Sequence, residues 1–488
     1  MGVYKSLFKQ TLIYGMASVL PRMISFILTP TYVEFLPDKS AMGDVTILFS
    51  YLVFWNVLTT YGMETAFFRF YTRESDPKRV QATALWSLLI STLLLLTPAW
   101  LFREQLSAAT GIDPTNMVFA LGILAFDTWA AIPFALLRVD KKPMTYAVIK
   151  IGNVLLMLML TLWFLMWLPQ QAQTSSFFAA IYVPHFEIGY VFLANLAASV
   201  ATFLAILPTY KVLRLRPDWT LWKKMMRYGF PILIAGLAFA VNEHFDKILL
   251  DWMQVPKADI GAYSACYKIG LFMVLFRTAY TLGIEPFFFS HAGHANAPET
   301  YATITKYFVI FGSFICLTVV ATIDLIKEIV VPQASYWTAI DVVPLIVFAN
   351  FFLGIYTNLS VWYKLIDKTH IGAYISLIGA SVTLALNLLL IPTMSFYGSA
   401  IATIAAYGSM MVISYYLGRK SYPIPYDFKR IFTYLLVTTV FSALVFYWPL
   451  FRASWLLKMM LLFIFAGVIY YAEKETIQKL TSRFRKRS

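Results

Sequence analysis

The sequence is short of charge and of cysteine. Asp, Glu, Lys and Arg make up 13% of its 488 residues, against about a quarter in soluble domains, which excludes a chain folded around an ordinary solvated surface. Two cysteines, Cys266 and Cys316, both lie in apolar runs and exclude a disulfide framework. No stretch has the make-up of a soluble domain, and the longest connections, near 169–183 and 209–227, are of loop length. The HAGH run ending at His294 lacks the Cys or acidic neighbours that would complete a metal site. Asn358-Leu-Ser360 has the form of a glycosylation sequon but sits inside an apolar run. No catalytic residues, metal or organic cofactor are therefore expected. The opening MGVYKS fits a myristoylation pattern, but an acyl anchor is redundant in a chain this apolar. The first apolar run is too long for a signal-peptide core and has no cleavage-site pattern.

What fills the chain is hydrophobic, 60% of it. A helix crossing a bilayer core of about 30 Å needs roughly 20 mostly apolar residues, because lipid offers the backbone no hydrogen-bond partners. That ruler predicts fourteen spans, near 11–36, 42–69, 81–102, 116–138, 144–168, 184–208, 228–252, 259–290, 305–331, 338–363, 371–392, 396–417, 431–449 and 453–472. The expected fold class is an all-α polytopic membrane protein. Its net charge of +14 is one-sided: with both termini placed in the cytosol, 28 Lys and Arg fall on that side, and only Lys39, Arg103, Lys257, Lys327 and Arg452 on the other. This positive-inside bias assigns both ends to the cytosol. It also makes the tail RFRKRS a flank for anionic membrane lipid and not a nucleic-acid arm.

The chain echoes itself. YGMETAFFRF (61–70) returns as LGIEPFFFSH (282–291), and RVDKKPMTYAVIKIG (138–152) as KLIDKTHIGAYISLIG (364–379). Tyr14-Gly15 matches Tyr228-Gly229, Gly43 matches Gly261, and Glu64 matches Glu285, at offsets of 214, 218 and 221 residues. Six spans separate the copies, so the repeats keep the same topology, an arrangement seen in transporters with a site at the repeat interface. The expected organisation is a six-helix lobe over 1–210, a second over 211–420, and spans thirteen and fourteen with the basic tail over 421–488.

The runs DKILLDWMQVPKADIGAYSACYKIG (246–270) and NLSVWYKLIDKTHIGAYISLIGASVTLALNLLLIPTMSFYGSAIAT (358–403), with YGMETAFFRF, resemble the polysaccharide-exporter branch, the Wzx-type oligosaccharide flippases, of the multidrug/oligosaccharidyl-lipid/polysaccharide flippase superfamily. The resemblance covers essentially the whole chain. It implies a transporter that moves an undecaprenyl-diphosphate-linked oligosaccharide from the cytosolic to the periplasmic leaflet of the bacterial inner membrane by alternating access. It further implies coupling to an H+ or Na+ gradient and delivery to the polysaccharide polymerase machinery. O-antigen, capsule and exopolysaccharide stay open as products. Three alternatives stand beside this reading: a lipid II flippase, a cation-coupled multidrug antiporter, and a polytopic glycan polymerase or ligase. The short outer loops argue against the last.

Ionisable residues deep in a span are costly, so they are the candidate site. Arg22, eleven residues into span one, and Lys268, nine into span eight, are expected to face one cavity and bind the substrate diphosphate. Lys150, six residues into span five, is a further binding candidate within reach of the cytosolic interface. Asp127, in the middle of span four, is a candidate for ion coupling or for a structural pair with Arg22. Glu64 and Glu285, near the cytosolic ends of their spans, are expected either to pair with cytosolic bases, to latch an inner gate, or to carry protons. Glu243, Asp246 and Lys247 crowd the outer end of span seven, as a gate or an ion pair.

Overall fold

A computed structural model describes residues 2–485, with side chains throughout except those of 2–14, Ser18, Arg22, Ser25, Pro286 and 475–485. It is a polytopic all-α membrane protein, with no strand among the described residues. Helix α1 runs Gly2–Phe35. Thirteen further helices described by the structure are long and apolar enough to cross a membrane. They are α2 (Lys39–Tyr71), α3 (Pro77–Leu101), α4 (Pro114–Val139), α5 (Pro143–Ala172), α6 (Glu187–Arg214), α7 (Trp219–Trp252), α8 (Lys257–His291), α9 (Ala297–Ala321), α10 (Ala334–Leu365), α11 (His370–Met394), α12 (Phe396–Ser421), α13 (Phe428–Tyr447) and α14 (Trp455–Lys474). Thirteen of the fourteen expected spans are thus matched, and the first falls on α1.

The acidic residues that the sequence does spend are used to start helices. Asp38, Asp76, Asp113, Asp218 and Asp427 each precede a span and accept a hydrogen bond from its free backbone N–H groups, the usual remedy for a helix start. Pro77, Pro114 and Pro143 occupy first-turn positions, where the missing N–H costs nothing.

Several expected spans are interrupted. The second breaks at Tyr61 (φ 34°) and Gly62 (φ 75°) and restarts as Met63–Tyr71. The eighth passes through a tight 3-10 turn at Lys268–Gly270. The ninth, expected over 305–331, ends at Ala321, and Ile323–Val330 is a separate helix. Asp324, Lys327 and Glu328 explain that last correction, since three charges in eight residues are too costly for a continued span.

The chain divides into two compact units by packing. One comprises Met1–Lys268, Val330–Ile340 and Ala373–Ala406; the other comprises Ile269–Ile329, Asp341–Gly372 and Tyr407–Ser488. In the first, α2 packs along α7 and the start of α8, and α4, α5 and α6 pack together. Small residues allow the closest approach: Gly43 lies on the Lys257 carbonyl and Gly261 on that of Lys39, as in close helix pairs in membranes. A buried polar string ties α7 to α11, with Thr383 Oγ1 donating to Asn242 Oδ1 (2.8 Å) and Asn242 Nδ2 to the Ser376 carbonyl (3.2 Å).

In the second unit, α9 packs against α10, α13 and α14. Lys306, near the start of α9, donates to Glu473, near the end of α14, at 2.7 Å. Asp324, just past α9, accepts from Lys458, near the start of α14, at 2.7 Å. The antiparallel pair is therefore fastened at both ends, which makes the two C-terminal helices a brace on α9.

Candidate functional site

The break in α2 sets up the site. Two successive left-handed residues turn the chain, and the second has to be glycine, because a methyl on Gly62 would also overlap the Gly229 carbonyl. The turn places Glu64 in the first turn of a new helix, where the helix dipole favours a carboxylate, and Arg138 lies in the last turn of α4, where it favours a cation. The two form an ion pair, and the Arg138 guanidinium lies 4.7 Å from the Phe68 ring centre.

Eleven residues back along α4, Asp127 accepts a hydrogen bond from Ser199 of α6 at 2.8 Å. From α5, the Lys150 amine lies 4.4 Å from the Phe134 ring centre and interacts electrostatically with Asp127. Asn153 donates to Thr202 at 2.9 Å. Glu64, Asp127, Arg138, Lys150, Asn153 and Thr202, with Asn56, Thr60 and Tyr146, line a polar cavity of about 320 Å³ within the first unit. Two bases and two acids thus share one chamber walled by apolar helices. It can bind an anion through Arg138 and Lys150 once Arg138 leaves Glu64, and it can hold a proton or cation at Asp127.

Three of the expected residues, Glu64, Asp127 and Lys150, meet here. Arg138 was missed because it counts as a loop charge at the end of span four. The available signal was its place at the head of the echoed stretch, where the second copy has Lys364.

The other expected residues lie elsewhere. Lys247 donates to Asp246 at 2.8 Å, Tyr263 donates to the same carboxylate at 2.8 Å, and the Lys247 amine is 4.0 Å from the Tyr267 ring centre. Both charges are buried. Glu243, Asp246, Lys247 and Lys268 all act electrostatically on His244, so Lys268 belongs to this second cluster, on α7 and α8. In the second unit, Lys364 Nζ lies 2.6 Å from Glu285. The side chain of Arg22 lies outside the described residues, and so does its expected convergence with Lys268 or pairing with Asp127. The His291 and His294 rings stack at 4.3 Å between centres. No group of three or more His, Cys, Asp or Glu suited to a metal occurs among the described residues.

Residues 7–288 match the family described as polysaccharide biosynthesis protein. No curated protein matches the chain by sequence. Among solved structures, the fold is similar to the lipid II flippase MurJ in an inward closed conformation, with a TM-score of 0.71 and 14% identity over 94% of this chain and 99% of that one. It is also similar to the Vibrio cholerae MATE transporter VcmN, with a TM-score of 0.56 and 15% identity over 86% of this chain and 98% of that one. An outward-facing multidrug resistance MATE family transporter of the MOP superfamily gives a TM-score of 0.58 and 14% identity over 87% and 96%. At such identities the likeness shows the fold alone.

Proposed function

The chain belongs to the polysaccharide biosynthesis protein family, and from that premise we propose that it is a flippase for an undecaprenyl-diphosphate-linked oligosaccharide, moving it from the cytosolic to the periplasmic leaflet by alternating access. The observation that carries this reading is the polar cavity with Arg138 and Lys150 in its wall. A diphosphate head on a polyprenyl tail needs a hydrated, cationic chamber for the head while the tail stays in lipid. Arginine offers phosphate a fork of donors and lysine a compact point charge.

In this reading Glu64 is the counter-ion that Arg138 releases when the diphosphate arrives, and Glu285 with Lys364 is the matching latch in the second repeat. Asp127 couples transport to H+ or Na+. Lys268 and Arg22 contribute further positive charge along the path, and Glu243, Asp246 and Lys247 form a gate. The protein sits in the bacterial inner membrane with both termini cytosolic, and its product passes to polymerase machinery.

The test is transport in proteoliposomes. A lipid-linked oligosaccharide, lipid II and a cationic dye are supplied in parallel, and movement of each is read with a membrane-impermeant reagent. The proposal expects transport of the first, lost in Arg138→Ala with Lys150→Ala. Transport of lipid II alone, or of the dye alone, assigns the alternative substrate.

A further inference from the structure

A second cavity, of about 340 Å³, lies in the first unit between α3 and the start of α7, and the transport reading makes no use of it. The apolar part of its wall is formed by Trp86, Ile90, Leu94, Trp222 and Met226, with Trp219 beside them. The polar atoms in that wall are already committed. Trp86 Nε1 donates to the Leu215 carbonyl at 3.3 Å, Trp222 Nε1 donates to Ser87 Oγ at 2.7 Å, and Ser91 Oγ donates to the Leu88 carbonyl at 3.1 Å. Thr83 Oγ1 accepts from the Asp218 amide at 3.0 Å, while the Asp218 carboxylate caps α7 and pairs with Arg79 at 3.3 Å. A site with satisfied polar groups and bare aromatic and aliphatic faces takes an apolar occupant. Its outer edge, at Ile90 and Leu94, is 41% and 69% exposed.

The chain flanking the cavity has the opposite character. The segment 207–227 carries exposed Lys211, Arg214, Arg216, Lys223, Lys224 and Arg227, and Asp218 is its one acid. A wall that accepts a hydrocarbon chain beside an exposed stretch that attracts negative charge matches an anionic lipid at the cytosolic leaflet, where Trp residues also concentrate.

We propose that this cavity is a binding site for an anionic phospholipid, with one acyl chain against Trp86 and Trp222 and the headgroup against Arg216, Lys223 and Lys224. It is separate from the transport cavity and does not depend on which substrate is moved.

The test uses the full-length protein in phosphatidylcholine vesicles doped with an equal fraction of either brominated-chain phosphatidylglycerol or brominated-chain phosphatidylcholine, reading tryptophan quenching. The expected result is quenching several-fold stronger with the brominated phosphatidylglycerol. That excess should vanish in Trp86→Phe with Trp222→Phe, which keeps the apolar wall, and separately in Lys223→Gln with Lys224→Gln, which changes only exposed residues. Equal quenching by the two lipids, or an undiminished excess in either variant, would overturn the proposal.

Discussion

The Lys364 ammonium lies 2.6 Å from the Glu285 carboxylate, and in the other unit Arg138 pairs with Glu64 in the same manner. Both partners are echoes: the glutamates occupy equivalent places in the two repeats, and the bases head the stretches 138–152 and 364–379. Each repeat therefore carries one acid after a glycine and one base at the end of the fourth helix of its set, joined within its own unit. The surroundings differ. Gly62 breaks its helix, whereas Gly283 lies inside a continuous one.

All four side chains are about a third or more exposed, so each pair contributes at most about 1 kcal/mol to stability. Replacing Glu64 or Glu285 by Gln is accordingly expected to leave the unfolding temperature in detergent nearly unchanged while altering the transport rate by tenfold or more. The exchanged double variant Glu64→Arg with Arg138→Glu should recover part of that rate. A large loss of thermal stability with normal transport would assign the pairs to structure alone.

Glu473 is different. It is 2% exposed and accepts from Lys306 (2.7 Å), Arg430 (3.1 Å) and Tyr434 (3.1 Å). Glu473→Ala leaves the buried Lys306 without its acid, a loss of about 3 kcal/mol or more. Chemical unfolding in detergent should show it. The paired replacement Lys306→Met with Glu473→Leu should be milder, because no buried charge is stranded, the exposed Arg430 keeping Asp427 as its partner.

Asp324 lies between spans, and its carboxyl is set by opposing influences. Partial burial raises its pKa, but the Lys327 and Lys458 ammonium groups outweigh this and hold it below the ordinary value of 3.8. A carboxyl depressed in the folded state contributes stability above its unfolded pKa and loses it as pH falls through the folded one. The fastening of α14 to α9 should therefore weaken only below about pH 4. Hydrogen exchange at the start of α14 as a function of pH checks this, and Asp324→Asn should make that exchange insensitive to acid in the same window.

A methyl on Gly261 would overlap the Lys39 carbonyl oxygen. Gly261→Ala has to push the start of α8 off α2, an overpacking cost of about 2 kcal/mol. Thermal unfolding in detergent measures it. Gly283→Ala, with open space around the added carbon, should unfold at the wild-type temperature.

Much of this architecture was legible residue by residue, because the forces that set it act locally. Lipid leaves the backbone no partner but itself, so each long apolar run has to be a helix, and most of α2 through α14 follow the runs within a few residues, while α7 starts nine residues and α9 eight residues before the expected span. The breaks at Tyr61-Gly62 and Lys268 were not legible, because an apolar run looks the same whether or not packing turns it. The end of α9 at Ala321 could be read only by weighing Asp324, Lys327 and Glu328 above the surrounding isoleucines and valines. The site divides in the same way. Glu64, Asp127 and Lys150 declared themselves as charges inside spans, since a buried charge is costly wherever it points. Arg138 looked like a loop charge, and Glu473 meets Lys306 across 167 residues of chain. Such pairings depend on which helices touch, and only the tertiary structure decides that, because helix contacts are chosen by surfaces drawn from distant parts of the sequence.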